Sequence, residues 1–139
     1  MLVENIKSAL TVALNNLGYP SIAVNISPAS KEEFGDFSSN IALLLTKELN
    51  QNPIAIAQKI KDEMGLGHEI INEITVSKPG FINFKISNKY YYNMLNIILK
   101  KSDFGKSQYG KGKRANVEFV SANPTGPLTI GHGLSLIHI

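Results

Sequence analysis

The sequence contains no cysteine, so it can form neither a disulfide framework nor a thiolate metal site. It also lacks the roughly 20 consecutive apolar residues of a membrane-spanning helix, because its longest aliphatic run covers only residues 41–45. No basic region followed by an apolar core opens the chain, as it would in a signal peptide. Neither a Walker loop nor a G-x-G-x-x-G fingerprint is present. These absences predict a soluble, cytoplasmic protein with no membrane partner and no metal site.

Charge is distributed unevenly along the 139 residues. Hydrophobic and charged contents of 43% and 18% are ordinary for a globular protein, and the length allows one domain and the beginning of a second. Residues 1–88 carry seven lysines against nine acidic residues, whereas residues 89–139 carry seven Lys or Arg against two. The basic part can bind a phosphate backbone or can be a solvated linker, and composition leaves both readings open.

Apolar residues at three- and four-residue spacing predict four helices. The first covers residues 2–17 and ends at Gly18. The second begins after a Ser38 or Ser39 cap, and the third begins at Asn52 with a proline in its first turn. Asn88 is predicted to cap the fourth.

Short apolar runs predict the strands. They cover residues 22–26, 70–76, 81–86 and 115–121, and the connector 78–80 is short enough for an antiparallel hairpin. The order of elements predicts an α+β unit with a small, mainly antiparallel sheet packed with helices. The strand at 115–121 is assigned to a following domain.

The segment 121–133 combines turn residues with a Gly-His-Gly step. Pro124, Gly126 and Pro127 force a non-helical loop directly after the last strand. Backbone N–H groups at the start of a following helix would favour a phosphate, to which His132 could donate a hydrogen bond. The alternative is a Pro/Gly-rich turn with one surface histidine, and the residues alone do not decide between them.

Three motifs resemble arginyl-tRNA synthetases, a family of class I aminoacyl-tRNA synthetases. The most specific is similar to that family's form of the HIGH signature and consists of Ala122, Asn123, Pro124, Thr125, Gly126, Pro127, Leu128, Thr129, Ile130, Gly131 and His132. Residues 35–45 and 79–84 resemble parts of its N-terminal domain in the same order. The resemblance covers residues 1–133 and implies ATP-dependent activation of arginine, then its transfer to tRNA(Arg).

The resemblance also implies roles for individual residues. In the signature, Thr129 and His132 correspond to catalytic positions, Gly131 and His132 to ATP-binding positions, and Ser121, Asn123 and His132 to positions that hold arginine. ATP would enter as substrate with Mg²⁺.

In the N-terminal domain, Phe81 and Asn83 correspond to residues that contact the tRNA D-loop. RNA is commonly recognised through unpaired bases, which offer stacking faces and polar edges. A half-buried sheet aromatic is the alternative role for Phe81.

The sequence departs from the family pattern in two places. Thr129 stands where the signature has its first histidine, and threonine cannot carry its positive charge. Residues 134–139 read as the translation of a transposase-end sequencing adapter, so we expect this tail to be non-native.

The expected organisation has four parts. Residues 1–88 form a tRNA D-loop-binding domain, 89–113 a helix and basic connector, 114–133 the start of a truncated Rossmann-type catalytic domain, and 134–139 the tail. The piece alone is expected to be inactive and its parent a monomer. A free-standing, non-catalytic tRNA-binding module is the alternative function, and a purely structural domain is the third.

Overall fold

The computed structural model describes residues 2–65, 67–118 and 125–137. They divide into two compact units, residues 1–102 and 103–139. The helices of the first unit are α1 (Leu2–Asn16), α2 (Ile41–Leu49), α3 (Pro53–Glu63) and α4 (Asn88–Lys100), and a short 3₁₀ helix covers Glu32–Phe34. Its strands are β1 (Ser27–Pro28), β2 (Phe37–Ser39), β3 (Ile71–Ser77) and β4 (Phe81–Ile86). The second unit contains α5 (Ile130–Ile137).

The four strands form one antiparallel sheet in the order β1-β2-β4-β3. β3 and β4 are the predicted hairpin, with Ser77 opposite Phe81 and Ile71 opposite Ile86. On its other side β4 pairs with β2, where Ser38 lies opposite Asn83. The predicted fold class, a small antiparallel sheet packed with helices, is confirmed.

The helices supply most of the hydrophobic core. α2 and α3 pack against each other, α1 contacts α3, and both α2 and α3 contact β4. Ile82, Phe84 and Ile86 of β4 are buried beneath them, as period-2 alternation requires. One face of the sheet is therefore covered by helices, and the opposite face carries the side chains between these positions.

Local signals define the ends of several helices. Asn52 is the N-cap of α3, since its Oδ1 accepts a hydrogen bond from the Ile54 N–H at 2.9 Å, as predicted. The α4 cap is Ser87 instead of the predicted Asn88, and its Oγ accepts from the Lys89 N–H at 3.2 Å. The error of one residue arises because both residue types favour caps.

Two short segments differ from the prediction. Residues 22–26 are not a strand, although Ile22, Val24 and Ile26 alternate inward against the core. Alternation reports burial, whereas a strand also needs a hydrogen-bonded neighbour. Residues 37–39, in which a helix cap was predicted, form β2 instead. Ser39 still lies near α2, with its Oγ 3.4 Å from the Ile41 N–H.

α4 and the second unit are largely exposed. None of the α4 residues is buried, and Tyr92 and Leu99 are 66% and 74% exposed. In the second unit, residues 115–118 are not in a strand, and the rest of the strand predicted at 115–121 lies outside the described residues. No helix in the described ranges is long and apolar enough to span a membrane.

Candidate nucleic-acid interface

A polar row crosses the sheet on the face opposite the helices. The strand register places Ser27 opposite Ser38, Ser38 opposite Asn83, and Asn83 opposite Thr75. Directly opposed residues point to the same side of a sheet, so these four side chains share one face. This face offers hydroxyl and amide groups where a fully covered sheet would carry apolar residues.

Phe81 and Asn83 lie together in a pocket of about 270 Å³ on this face. Phe81 is half-buried, so part of its side chain is covered by the protein and part remains accessible. Ser77 and Lys78 also line the pocket, and Phe34 contributes an additional aromatic ring. The pocket therefore combines aromatic surface, hydroxyl groups and one exposed ammonium group at Lys78.

The Asn83 amide is held in place by a neighbouring strand. Its Nδ2 donates a hydrogen bond to Ser77 Oγ at 2.9 Å, and only 3% of the residue is exposed. A buried amide needs such a partner, because an unpaired polar group is costly to desolvate. The Asn83 amide is therefore held in one orientation at the pocket.

The turn between β3 and β4 rests on the first residue of α3. It contains a cis peptide bond between Lys78 and Pro79, and Gly80 has a φ of +153°. A Cβ on Gly80 would lie 2.7 Å from Pro53 Cβ, so only glycine allows this approach without a shift. Lys78 and Phe81, which lie on either side of this contact, both line the pocket.

Gly35 and Asp36 hold the preceding loop against β4. A Cβ on Gly35 would lie 2.7 Å from the Phe84 carbonyl oxygen. The Asp36 N–H donates to that oxygen at 2.8 Å, and the Asp36 carboxylate accepts from the Ile86 N–H at 2.7 Å. These contacts explain the Gly-Asp pair of the motif at 35–45 structurally, and they place Phe34 at the pocket.

A second pocket, of about 330 Å³, has the opposite electrostatic character. Phe34 lines it as well, together with Glu32, Glu33, Glu73 and a single lysine, Lys85. Three carboxylates repel a polyanion. A polyanion on this face would therefore be favoured on the side of Lys78.

Of the signature residues, Ile130, Gly131 and His132 form the start of α5, and Thr129 immediately precedes it. The Thr129 N–H donates to His132 Nδ1 at 2.9 Å, and the Thr129 hydroxyl is 3.1 Å from the same nitrogen. The backbone N–H of His132 donates to the Thr129 carbonyl at 3.1 Å. Because Nδ1 accepts from a backbone N–H, the neutral ring carries its proton on Nε2.

The described residues include only part of the predicted catalytic set. Thr129, Gly131 and His132 share this turn, whereas Ser121 and Asn123 lie outside the described residues, as do Ala122 and Pro124 of the signature. Phe81 and Asn83 belong to the first unit. Within the described ranges, no three His, Cys, Asp or Glu side chains are grouped so that they could hold a metal ion.

Several pocket residues were missed by sequence reasoning. Ser77 lies opposite Phe81 and Lys78 begins the turn, so the register of a hairpin with so short a connector could have identified both. Ser38 reaches the pocket because β2 pairs with β4, and Phe34 lies in the segment before β2. A single sequence carries no local signal for such contacts.

Comparisons with known proteins show the family to which this domain is similar. Residues 4–86 match the family described as the arginyl tRNA synthetase N terminal domain. An arginine–tRNA ligase of Chlorobium phaeobacteroides is 44% identical over 134 residues, covering 95% of this chain and 24% of that protein. The ligase of Prosthecochloris aestuarii is also 44% identical, over 82% of this chain and 21% of its own length. The chain thus spans less than a quarter of these relatives.

Solved structures show the same relationship. The arginyl-tRNA synthetase of Thermus thermophilus superposes with a TM-score of 0.59 at 30% identity, covering 73% of this chain and 16% of that protein. The Plasmodium falciparum synthetase gives a TM-score of 0.57 at 28% identity, covering 66% of this chain and 17% of that protein. Since the matched domain accounts for more than half of the sequence and the same family recurs in each comparison, the chain belongs to the arginyl-tRNA synthetase family and carries its N-terminal domain.

Proposed function

We propose that this chain is the N-terminal part of an arginine–tRNA ligase and that its sheet pocket binds an unpaired base of the tRNA D-loop. The observation that carries the proposal is the placement of Phe81 and Asn83 in one pocket of about 270 Å³, within a domain of this family. Residues 1–88 would form the tRNA-binding domain, 89–113 the connector and 114–133 the start of the catalytic domain.

The pocket residues suit an unpaired base. The half-buried Phe81 ring offers a stacking surface, and stacking is sequence-tolerant because every base has a π-face. Asn83 offers hydrogen bonds to a base edge. The exposed Lys78 ammonium at the same pocket can neutralise a neighbouring phosphate. Together these groups provide the three interactions that a single-stranded nucleotide needs.

The parent enzyme would activate arginine and then transfer it. The arginine carboxylate attacks the α-phosphorus of ATP, the bond to pyrophosphate breaks, and the terminal adenosine of tRNA(Arg) then displaces AMP. We assign the binding of arginine to Ser121, Asn123 and His132. Mg²⁺ would enter bound to the phosphates of ATP.

The signature turn would stabilise charge on the phosphate during activation. With Nδ1 occupied by Thr129, the Nε2–H of His132 is left to donate to a phosphate oxygen. Gly131 has no side chain to obstruct a close approach, and a helix N-terminus favours an anion. Thr129 and His132 would thus act electrostatically, as positioned donors do in phosphoryl transfer.

The chain of 139 residues is proposed to lack this activity by itself. A parallel sheet requires covering on both faces, and residues 114–133 are too few to form both such a sheet and the helices that cover it. We expect no ATP–pyrophosphate exchange above background with arginine and tRNA(Arg) present. Exchange by the purified chain at rates above a no-protein control would overturn this part of the proposal. We further propose a cytoplasmic, monomeric parent.

Binding of tRNA tests the pocket directly. The chain should bind folded tRNA(Arg) with an affinity that falls as salt rises. Phe81→Ala should weaken binding about tenfold, since stacking is worth about 1–3 kcal/mol per base. Asn83→Ala should weaken it about fivefold. Fluorescence anisotropy at fixed ionic strength measures both.

Matched controls separate the pocket from general effects. Phe104→Ala and Asn93→Ala remove the same side-chain types from exposed positions and should leave the affinity unchanged. Unaltered binding by the Phe81 and Asn83 variants would refute the pocket assignment. A complete lack of affinity at low salt would instead favour a purely structural domain.

A further inference from the structure

The hydrogen bond between Asn83 and Ser77 does more than satisfy a buried polar group, because it also orients the Asn83 amide. Ser77 lies on β3 opposite Phe81, and Thr75 is the residue opposite Asn83, so the bond runs diagonally between strands. Diagonal neighbours on one face are within side-chain reach. The bond joins Nδ2 to Ser77 Oγ at 2.9 Å and thereby fixes the plane of the amide.

The oxygen of the same amide remains available at the pocket. Asn83 lines the pocket although only 3% of the residue is exposed. Among the described side chains, the only enclosed polar atom without a partner is the Tyr19 hydroxyl. Asn83 Oδ1 is therefore not an enclosed atom that lacks a hydrogen-bond partner. With Nδ2 directed at Ser77, Oδ1 can accept a hydrogen bond from a pocket ligand.

We propose that Ser77 is a positioning residue, which holds Asn83 so that Oδ1 accepts a hydrogen bond from an N–H group of the base in the pocket. This inference rests on the base-binding function proposed above. It adds which chemical groups on the edge of the base are recognised. The matching groups are the exocyclic amino groups of adenine, guanine and cytosine. A base that turns a bare acceptor toward Oδ1 would meet electrostatic repulsion.

Selectivity follows from the fixed orientation. A site arranged to bond an N–H group discriminates against an analogue that lacks it, because its own polar atom is then left unpaired. An amide free to rotate could present either Nδ2 or Oδ1 and would discriminate less. Loss of the Ser77 hydroxyl should therefore reduce discrimination among bases more than it reduces binding.

Transcripts of tRNA(Arg) with single donor-deleted bases in the D-loop test this inference. The replacements are purine riboside for adenosine, inosine for guanosine and 2-pyrimidinone riboside for cytidine. We expect the wild-type chain to bind at least one substituted tRNA about fivefold more weakly than the parent tRNA. In Ser77→Ala this ratio should fall below about twofold, and Ser77→Thr should restore it.

Ser8→Ala is the matched control, since Ser8 is exposed on α1 and does not line the pocket, and the variant removes the same hydroxyl group. It should keep the wild-type ratio. If Ser77→Ala weakens all the tRNAs equally and keeps the ratio, Ser77 has only a structural role and the inference is wrong. If no replacement weakens wild-type binding while Phe81→Ala does, base binding stands and edge recognition fails. Absence of any tRNA binding would overturn the proposed function itself.

Nuclear magnetic resonance of the free chain checks the orientation without RNA. One of the two Asn83 Nδ2 protons should exchange slowly with water in the wild type and rapidly in Ser77→Ala. Equal, fast exchange of both protons in the wild type would show that the amide is not held and would overturn the inference by a separate route.

Discussion

At the scale of single residues, two glycines with positive φ have different surroundings. Gly35 has a φ of +84° and a Cβ there would lie 2.7 Å from the Phe84 carbonyl oxygen, whereas Gly18 has a φ of +66° and nothing within 4 Å of its Cβ position. Both conformations disfavour an L-residue with a side chain. Only Gly35 adds a collision with the backbone of the central strand.

Gly35→Ala should therefore destabilise the fold by about 3 kcal/mol, from the strained backbone and the overlap together. Gly18→Ala should lower the free energy of unfolding by about 1 kcal/mol, because only the unfavourable backbone conformation contributes. Urea unfolding followed by circular dichroism measures both. Equal losses for the two variants would contradict the close approach of Gly35 to β4.

The burial of residues was predictable where a periodic pattern carried it, as for the inward face of Ile82 and Phe84. The motif at 79–84 singled out Phe81 and Asn83, and their contact with tRNA stays a prediction. The burial of Asn83 was not predictable, because its neighbours on this face include Ser38 and Phe34, which come from a distant segment. Partnership between distant residues has no local signature.

At the scale of elements, those that depend on local sequence were predictable, and those that depend on pairing between distant segments were not. The helices and the β3–β4 hairpin arise from local periodicity and short-range turns, and the structure confirms them. β2 is three residues long and exists through its pairing with β4, so its sequence resembles a helix cap as much as a strand. Strands of this length are therefore the elements that a sequence does not reveal.

The α3 cap allows a test at this scale. Asn52→Ala removes the acceptor for the Ile54 N–H and should lower the free energy of unfolding by about 1 kcal/mol. Asn52→Asp preserves an acceptor oxygen and should remain within about 0.5 kcal/mol of the wild type. A loss from Asn52→Asp as large as that from Asn52→Ala would argue against a capping role. Thermal and urea unfolding provide the comparison.

At the scale of the whole molecule, the core is confined to the first unit. The buried apolar residues of the described chain lie between Ile6 and Ile86. The chain shortened to residues 1–102 should therefore unfold with a free energy within about 0.5 kcal/mol of the longer chain, because surface regions contribute little. A larger drop in urea unfolding would show that residues 103–139 stabilise the first unit.

The basic connector has a separate expected effect on RNA binding. Removal of residues 103–139 eliminates Lys106, Lys111, Lys113 and Arg114. Each of these cations that neutralises a tRNA phosphate adds about 0.7–0.9 to the slope of log affinity against log salt. A decrease of about 3 in the truncated chain would mean that all four cations bind phosphates, whereas an unchanged slope would identify a solvated linker. Titration at several salt concentrations gives the slope.

The Ser77–Asn83 hydrogen bond also has a kinetic consequence. A side chain that is already immobilised loses little rotamer entropy when a ligand arrives. Since related complexes differ mostly in how fast they dissociate, a preferred base should be distinguished by its residence time, while the association rate stays nearly constant. The pocket would therefore release the matching nucleotide slowly, although matching and non-matching nucleotides would bind at nearly the same rate.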